Sequence, residues 1–176
     1  MTITQYKKTI RAMSREELEE HLLGLFSASK VFKDIESSCF SPADNEKLLE
    51  QLQKKLDRAF WREHFSLSEC KNILKEAAGR CIHQPTVALM QLYFASDAAE
   101  LSASYGDYGE SFYNALEEAA EKYLDYAKTD EEFFKAHEAE FEKLIATSDC
   151  LGYGVECDLA IMLEEARFEV YGEKEE

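Results

Sequence analysis

The chain has 176 residues, a length suited to one domain, of which 45% are hydrophobic and 32% charged, with 7 glycines and 2 prolines. That much apolar material builds a core and excludes a disordered chain, while so few turn-forming residues argue against a many-stranded β fold. The net charge of −16 is one-sided: residues 1–88 carry 14 Lys/Arg against 13 Asp/Glu, whereas residues 89–176 carry 6 against 23. Such a field disfavours phosphate backbones and anionic membrane surfaces and attracts basic proteins or cations.

Residues 1–13 contain Lys7, Lys8 and Arg11 but no apolar run of the kind a secretory signal needs, so they read as a loose leader. No stretch approaches the roughly 18 apolar residues of a membrane span. A single all-helical domain is expected over residues 14–172, followed by a charged tail at 173–176. Its first helix opens at Ser14, whose partner Glu17 stands three residues on in capping-box spacing. Leu18, Leu22, Leu25 and Phe26 form its stripe, and Gly24 to Ser29 mark a point where it continues or kinks. Val31, Phe32 and Ile35 predict a short helix ending near Ser37 and Ser38. Ser41-Pro42-Ala43-Asp44 starts the next, with Ser as cap, Pro in the first turn and an acid behind it. That helix runs to about Arg62 on Leu48, Leu52, Leu56 and Phe60. Ser66 with Glu69 opens another, and Gly79 is expected to close it.

Pro85 starts a helix that is uncharged from Val87 to Ala95, the pattern of a rod packed on more than one side. It should end near Ser104, ahead of Tyr105-Gly106-Asp107-Tyr108-Gly109. Phe112, Leu116, Ala119, Ala120, Tyr123 and Ala127 then recur at helical spacing. Thr129-Asp130-Glu131-Glu132 caps a helix carrying Phe133, Phe134, His137, Phe141 and Leu144. Gly152-Tyr153-Gly154 precedes the last, with Leu159, Met162, Leu163 and Ala166. The fold class is thus all-α: about eight helices in an antiparallel up-and-down array or a short HEAT-like helical stack, the latter suggested by helix pairs starting about 40 residues apart.

Strict alternation gathers the two Gly-Tyr turns at one end, together with Trp61, His64, Asp107, Glu110, Asp149, Cys150 and Asp158. Cys39, Cys81, His83 and Asp130 fall at the other end. Aromatic residues on loops serve as anchors for partners, so Trp61, His64, Tyr105, Asp107, Tyr108, Glu110 and Tyr153 form the candidate site. The structural alternative is that the glycines end helices, the tyrosines cover their termini, and Asp107 and Asp158 cap.

His83-Gln84-Pro85-Thr86-Val87-Ala88-Leu89, Tyr105-Gly106-Asp107, Glu110-Ser111-Phe112-Tyr113-Asn114 and Gly152-Tyr153-Gly154 follow in that order. This set resembles an uncharacterised bacterial all-helical family, most strongly over residues 83–158. The resemblance implies helices throughout, no assigned activity, and a matching role for Tyr105, Gly106, Asp107, Phe112, Tyr113, Asn114 and Gly152, which adds Tyr113 and Asn114 to the candidate site. Members of that family often carry an aromatic residue and a histidine after the glycine turn. This chain has Val155, Glu156 and Cys157, so the resemblance brings no metal or catalytic histidine there.

Chemical motifs are scarce. His137-Glu138-Ala139-Glu140-Phe141 has Phe where a zinc helix needs its second histidine, and His137 reads as a core-edge residue. No Glu-x-x-His pair, phosphate loop, dinucleotide fingerprint or nucleophile elbow is present. The rim offers a Cys150–His64 thiol–imidazole pair, and paired acids such as Asp107 and Glu110 as general acid and base or as holders of a divalent cation. The Glu-rich runs 117–121 and 138–142 read as solvated faces. The odd count of 5 cysteines, without a C-x-x-C pair, reads as reduced thiols packed as small core residues in a cytosol.

The expected function is therefore a non-enzymatic, cytoplasmic protein-interaction module without cofactor or metal. Its acidic C-terminal half would contact a basic or mixed protein partner, with no membrane and no direct nucleic-acid backbone binding. The alternatives are an acidic inhibitor, immunity or nucleic-acid-mimic protein, and a small-ligand or metal-dependent enzyme at the Gly-Tyr end. The sequence sets neither partner nor oligomeric state.

Overall fold

A computed structural model describes residues 1–40, 42–80 and 83–172. Among them there are nine helices and no strand: α1 (Ile3–Ala12), α2 (Arg15–Ala28), α3 (Lys30–Phe40), α4 (Pro42–Phe60), α5 (Leu67–Arg80), α6 (Gln84–Tyr105), α7 (Glu110–Ala127), α8 (Glu131–Ser148) and α9 (Val155–Tyr171). The all-α expectation holds, with one more helix than the sequence periodicity counted.

The extra element is α1, where a loose leader was expected. A capping box starts it: the Gln5 amide donates to Thr2 Oγ1 at 3.3 Å and the Thr2 amide to Gln5 Oε1 at 2.8 Å. The Tyr6 hydroxyl then meets His21 Nε2 at 3.1 Å, tying α1 to α2. The expected Ser14–Glu17 box is present in α2, with both reciprocal bonds made. α2 passes straight through Gly24 and ends at Ser29, whose extended backbone turns the chain into α3. Ser41, the expected cap of α4, lies outside the described residues, as do Cys81 and the tail at 173–176. Gly79, expected as a stop, sits inside α5.

Among the side chains described, the buried core is built by α4 through α9. α6 buries residues on nearly every face, from Thr86 and Ala88 to Leu101 and Ser102, as its uncharged sequence predicted. It packs against α4 on one side, α8 on another and α7 most intimately of all. Ala95, Ala98 and Ala99 of α6 and Ala115, Ala119 and Ala120 of α7 are all buried. Short side chains let two helix axes approach closely. α9 closes the array against α7 and α8.

Successive helices from α4 onward alternate in direction. The end of α4 meets the end of α6 through Trp61 and Tyr105, with ring centroids 6.3 Å apart. Tyr113, in the first turns of α7, meets Tyr153 just ahead of α9, at 5.2 Å. At the far pole Phe134 of α8 contacts Tyr171 of α9, and Lys128 after α7 pairs with Glu169. The antiparallel array is thus the observed arrangement, and the two Gly-Tyr turns share a pole.

Candidate functional site

The shared pole is a continuous run of aromatic rings. Phe60 at the end of α4 stacks on Phe65, which meets Tyr108 and Phe112 edge-on at 5.4 and 5.5 Å. Phe112 touches Tyr113, and Tyr113 carries Tyr153 on its outer side. Trp61 and Tyr105 form a more exposed pair, 45% and 72% accessible. Between α4, the 61–65 connection and the α6–α7 turn lies an open cleft of about 530 Å3, lined by Trp61, His64, Tyr105 and Tyr108 among others.

Backbone geometry holds these rings in place. Gly106 and Gly109 have φ of +100° and +84°, a region where any Cβ is strained. Between them Asp107 Oδ1 accepts from the Gly109 amide at 2.6 Å. The Asp107 carboxylate is therefore part of the turn rather than the side-chain cap of α7 that the sequence offered. Beneath the turn, the Ser102 hydroxyl donates to the Gly106 carbonyl at 3.0 Å and lies 2.8 Å from the Tyr113 hydroxyl. Since serine has a single proton to give, the tyrosine donates to the serine. A buried chain of two hydroxyls thus locks the start of α7 to the end of α6. Tyr153 adopts φ of +64°, a left-handed backbone rare for a side chain of that size, and keeps its ring 60% exposed over Tyr113.

The nine sequence-predicted site residues separate into groups. Trp61, His64, Tyr105 and Tyr108 line the cleft, and Tyr113 and Tyr153 stack beside it. Asp107 serves the turn. Glu110 and Asn114 are exposed on the first turns of α7 and do not line the cleft. The Cys150 thiol donates to the Thr147 carbonyl at 3.9 Å rather than to His64, so the thiol–imidazole pair is not formed. Of the cysteines whose side chains are described, Cys70 is the expected core residue, its thiol pushed up to about 12 by burial and by Glu69, while Cys150 and Cys157 are exposed. No group of three His, Cys, Asp or Glu among the described residues has metal-binding geometry.

A second concavity, which the sequence reading did not anticipate, lies between α4, α6 and α8. It holds about 450 Å3 and is lined by Leu89, Leu92, Tyr93, Asp97 and Glu100 of α6, with His137, Glu140 and Lys143 of α8 opposite. Asp97 is 8% exposed, and its Oδ2 is buried with no hydrogen-bond partner. Burial first, then Asp57 and Glu100, push its carboxyl up to about 7. Tyr93 donates to Asp57 Oδ1 at 3.1 Å and is itself raised to about 12, mainly by burial. Lys143 Nζ lies 3.7 Å from Glu100 Oε1 at the groove's mouth.

The acidic half has its own order. Arg167 of α9 is gripped by three carboxylates: Glu138 at 2.6 Å, Glu164 at 2.7 Å and Glu142. Those bonds hold the guanidinium pKa well above its usual value. Glu138, expected on a solvated face, is instead half-buried and also accepts from the Tyr171 hydroxyl. Glu117 is raised by burial and by Asp158 across the α7–α9 contact.

Comparison with protein-family models, curated proteins and solved structures gives no match to this chain.

Proposed function

We propose that this chain is a non-enzymatic, cytoplasmic interaction module whose acidic C-terminal half, beside the aromatic rim, contacts a basic or mixed protein partner. One observation carries it. All five described basic residues of the second half are already held by carboxylates: Lys122 by Glu118, Lys128 by Glu169, Lys135 by Glu131, Lys143 by Glu100, and Arg167 by Glu138 and its neighbours. Among the described residues of that half the acids still outnumber these cations, and exposed ones such as Glu121, Asp158 and Glu165 project their field outward from rigid helices. Complementary charge of that kind speeds encounter and selects partners. Trp61, Tyr105 and Tyr153 supply the exposed aromatic area that anchors such contacts.

The resemblance of residues 83–158 to a bacterial all-helical family adds no activity to this assignment. Unpaired thiols at Cys70, Cys150 and Cys157 support a reducing compartment, and no described helix is long and apolar enough to cross a membrane. The test is capture of partners from native lysate by the wild-type chain, by Glu121→Lys/Glu165→Lys and by Trp61→Ala/Tyr105→Ala. A basic protein retained by the wild type and lost from both variants is the expected result. Equal retention by all three, or no partner, contradicts the proposal.

A further inference from the structure

The groove between α4, α6 and α8 carries an inference that stands apart from the partner surface. Its central feature is Asp97, more than nine-tenths buried in the groove's wall, with Oδ2 unpartnered. Buried carboxylates are normally hydrogen-bonded or paired, because water lost on burial must be replaced. Here the nearby charges are Asp57 and Glu100, which repel. No described side chain donates to that oxygen, so the ionised carboxylate is left for a cation entering the groove to answer.

The surroundings define that donor. A divalent metal requires several oxygens converging at roughly 2.0–2.6 Å, and no described group of acids converges in this way. The anionic points are instead spread over two walls: Asp97 and Glu100 on α6, Glu140 on α8, with Leu89 and Leu92 beside them. Separated anions with apolar surface between them match cationic nitrogens separated by methylenes. The volume of about 450 Å3 lies within the usual range for small-molecule sites. Lys143 already brings a primary ammonium to the mouth, and its pair with Glu100 is weak because the two side chains are 77% and 46% exposed.

We infer that this groove binds an aliphatic polyamine, one ammonium donating to the Asp97 carboxylate and the methylene chain lying against Leu89 and Leu92. Lys143 competes for the same acids. Binding favours the ionised carboxylate. The other titratable groups facing it are Asp57 of α4, Tyr93 and Glu100 of α6, and His137, Glu140 and Lys143 of α8.

Calorimetric titration of the full chain with putrescine and with spermidine, at pH 8 and near-physiological salt, tests this. One saturable site is expected. Asp97→Asn, isosteric and relieved of the buried charge, should weaken it at least about tenfold, since a charge-assisted contact is lost. Lys143→Met, a surface change, should tighten it a few-fold. Lowering the pH from about 8 to 6 should weaken it about tenfold through protonation of the carboxylate. Glu121→Lys/Glu165→Lys, remote from the groove, should bind as wild type. Absence of a saturable site overturns the inference. So does binding that survives Asp97→Asn undiminished or falls equally in the Glu121→Lys/Glu165→Lys chain, since either marks diffuse attraction to the acidic surface. Weaker binding by Lys143→Met also counts against it.

Discussion

Two buried polar side chains of α6 show opposite solutions to burial. Ser102 is fully engaged, passing the proton of its hydroxyl to Gly106 and receiving that of Tyr113. Ser102→Ala therefore strands the tyrosine hydroxyl, and a stability loss of about 1–3 kcal/mol in chemical denaturation is expected. Asp97 is the unsolved case. Its folded-state value of about 7 stands above the ordinary 3.8, so the folded chain holds this proton more tightly than the unfolded one. The associated stability is fully present below the ordinary value. It declines as pH rises and is gone above about 7, a span that amounts to a few kcal/mol at roughly 1.4 kcal/mol per pKa unit. Asp97→Asn should thus be more stable than wild type at pH 8, with the difference shrinking toward pH 4. Parallel pH profiles for the two chains would contradict the assignment.

That residue also shows where sequence reasoning stops. A single acid between Ala95, Ala98 and Ala99 looks like a helix turning one residue to water. The available signal was positional: Asp97 follows Tyr93 by four and Leu89 by eight, on one stripe of a helix recognised as buried on several sides. Which neighbours face that stripe depends on how α4 and α8 pack, and spacing along one helix does not encode that. The rim was easier to read. Glycines at 106, 109 and 154 punctuate the chain, and short connections force reversal, so Tyr113 and Tyr153 meet although 40 residues apart.

At the scale of the element, helix starts were legible where a side chain caps them. Asp130 accepts from the Phe133 amide at 3.1 Å, as its place before Glu131-Glu132 predicts. Asp130→Ala should cost about 1 kcal/mol, measurable as a lowered Tm. Gly154 has φ of +80° at the start of α9, and Gly154→Ala should cost a similar amount, about 1 kcal/mol, because a Cβ is strained there. α1 was missed although Thr2 and Gln5 form a capping box, because the helix is short, mostly polar and buries none of its residues. Gly79 was expected to mark the end of α5, which runs one residue further, to Arg80. A helical glycine costs only about 1 kcal/mol relative to alanine, less than the packing of Cys70, Ile73 and Ala77 on the same helix returns.

For the whole molecule, the imbalance between halves bears on stability and on the proposed recognition. The excess acids repel one another, and added salt screens that repulsion over a Debye length of about 8–10 Å near physiological ionic strength. Thermal stability is therefore expected to rise with moderate salt, and a flat or falling Tm would show that the ion pairs around Arg167 outweigh the repulsion. Recognition runs the other way, since salt weakens attraction between opposite charges. The most direct measurement is the Kd for the captured basic partner as salt rises from about 50 to 500 mM. Charge-driven contact predicts a steady loss of affinity of at least about tenfold, slower association, and a shallower dependence for Glu121→Lys/Glu165→Lys. An affinity that holds constant across that range would contradict the assignment of the acidic half as the recognition surface.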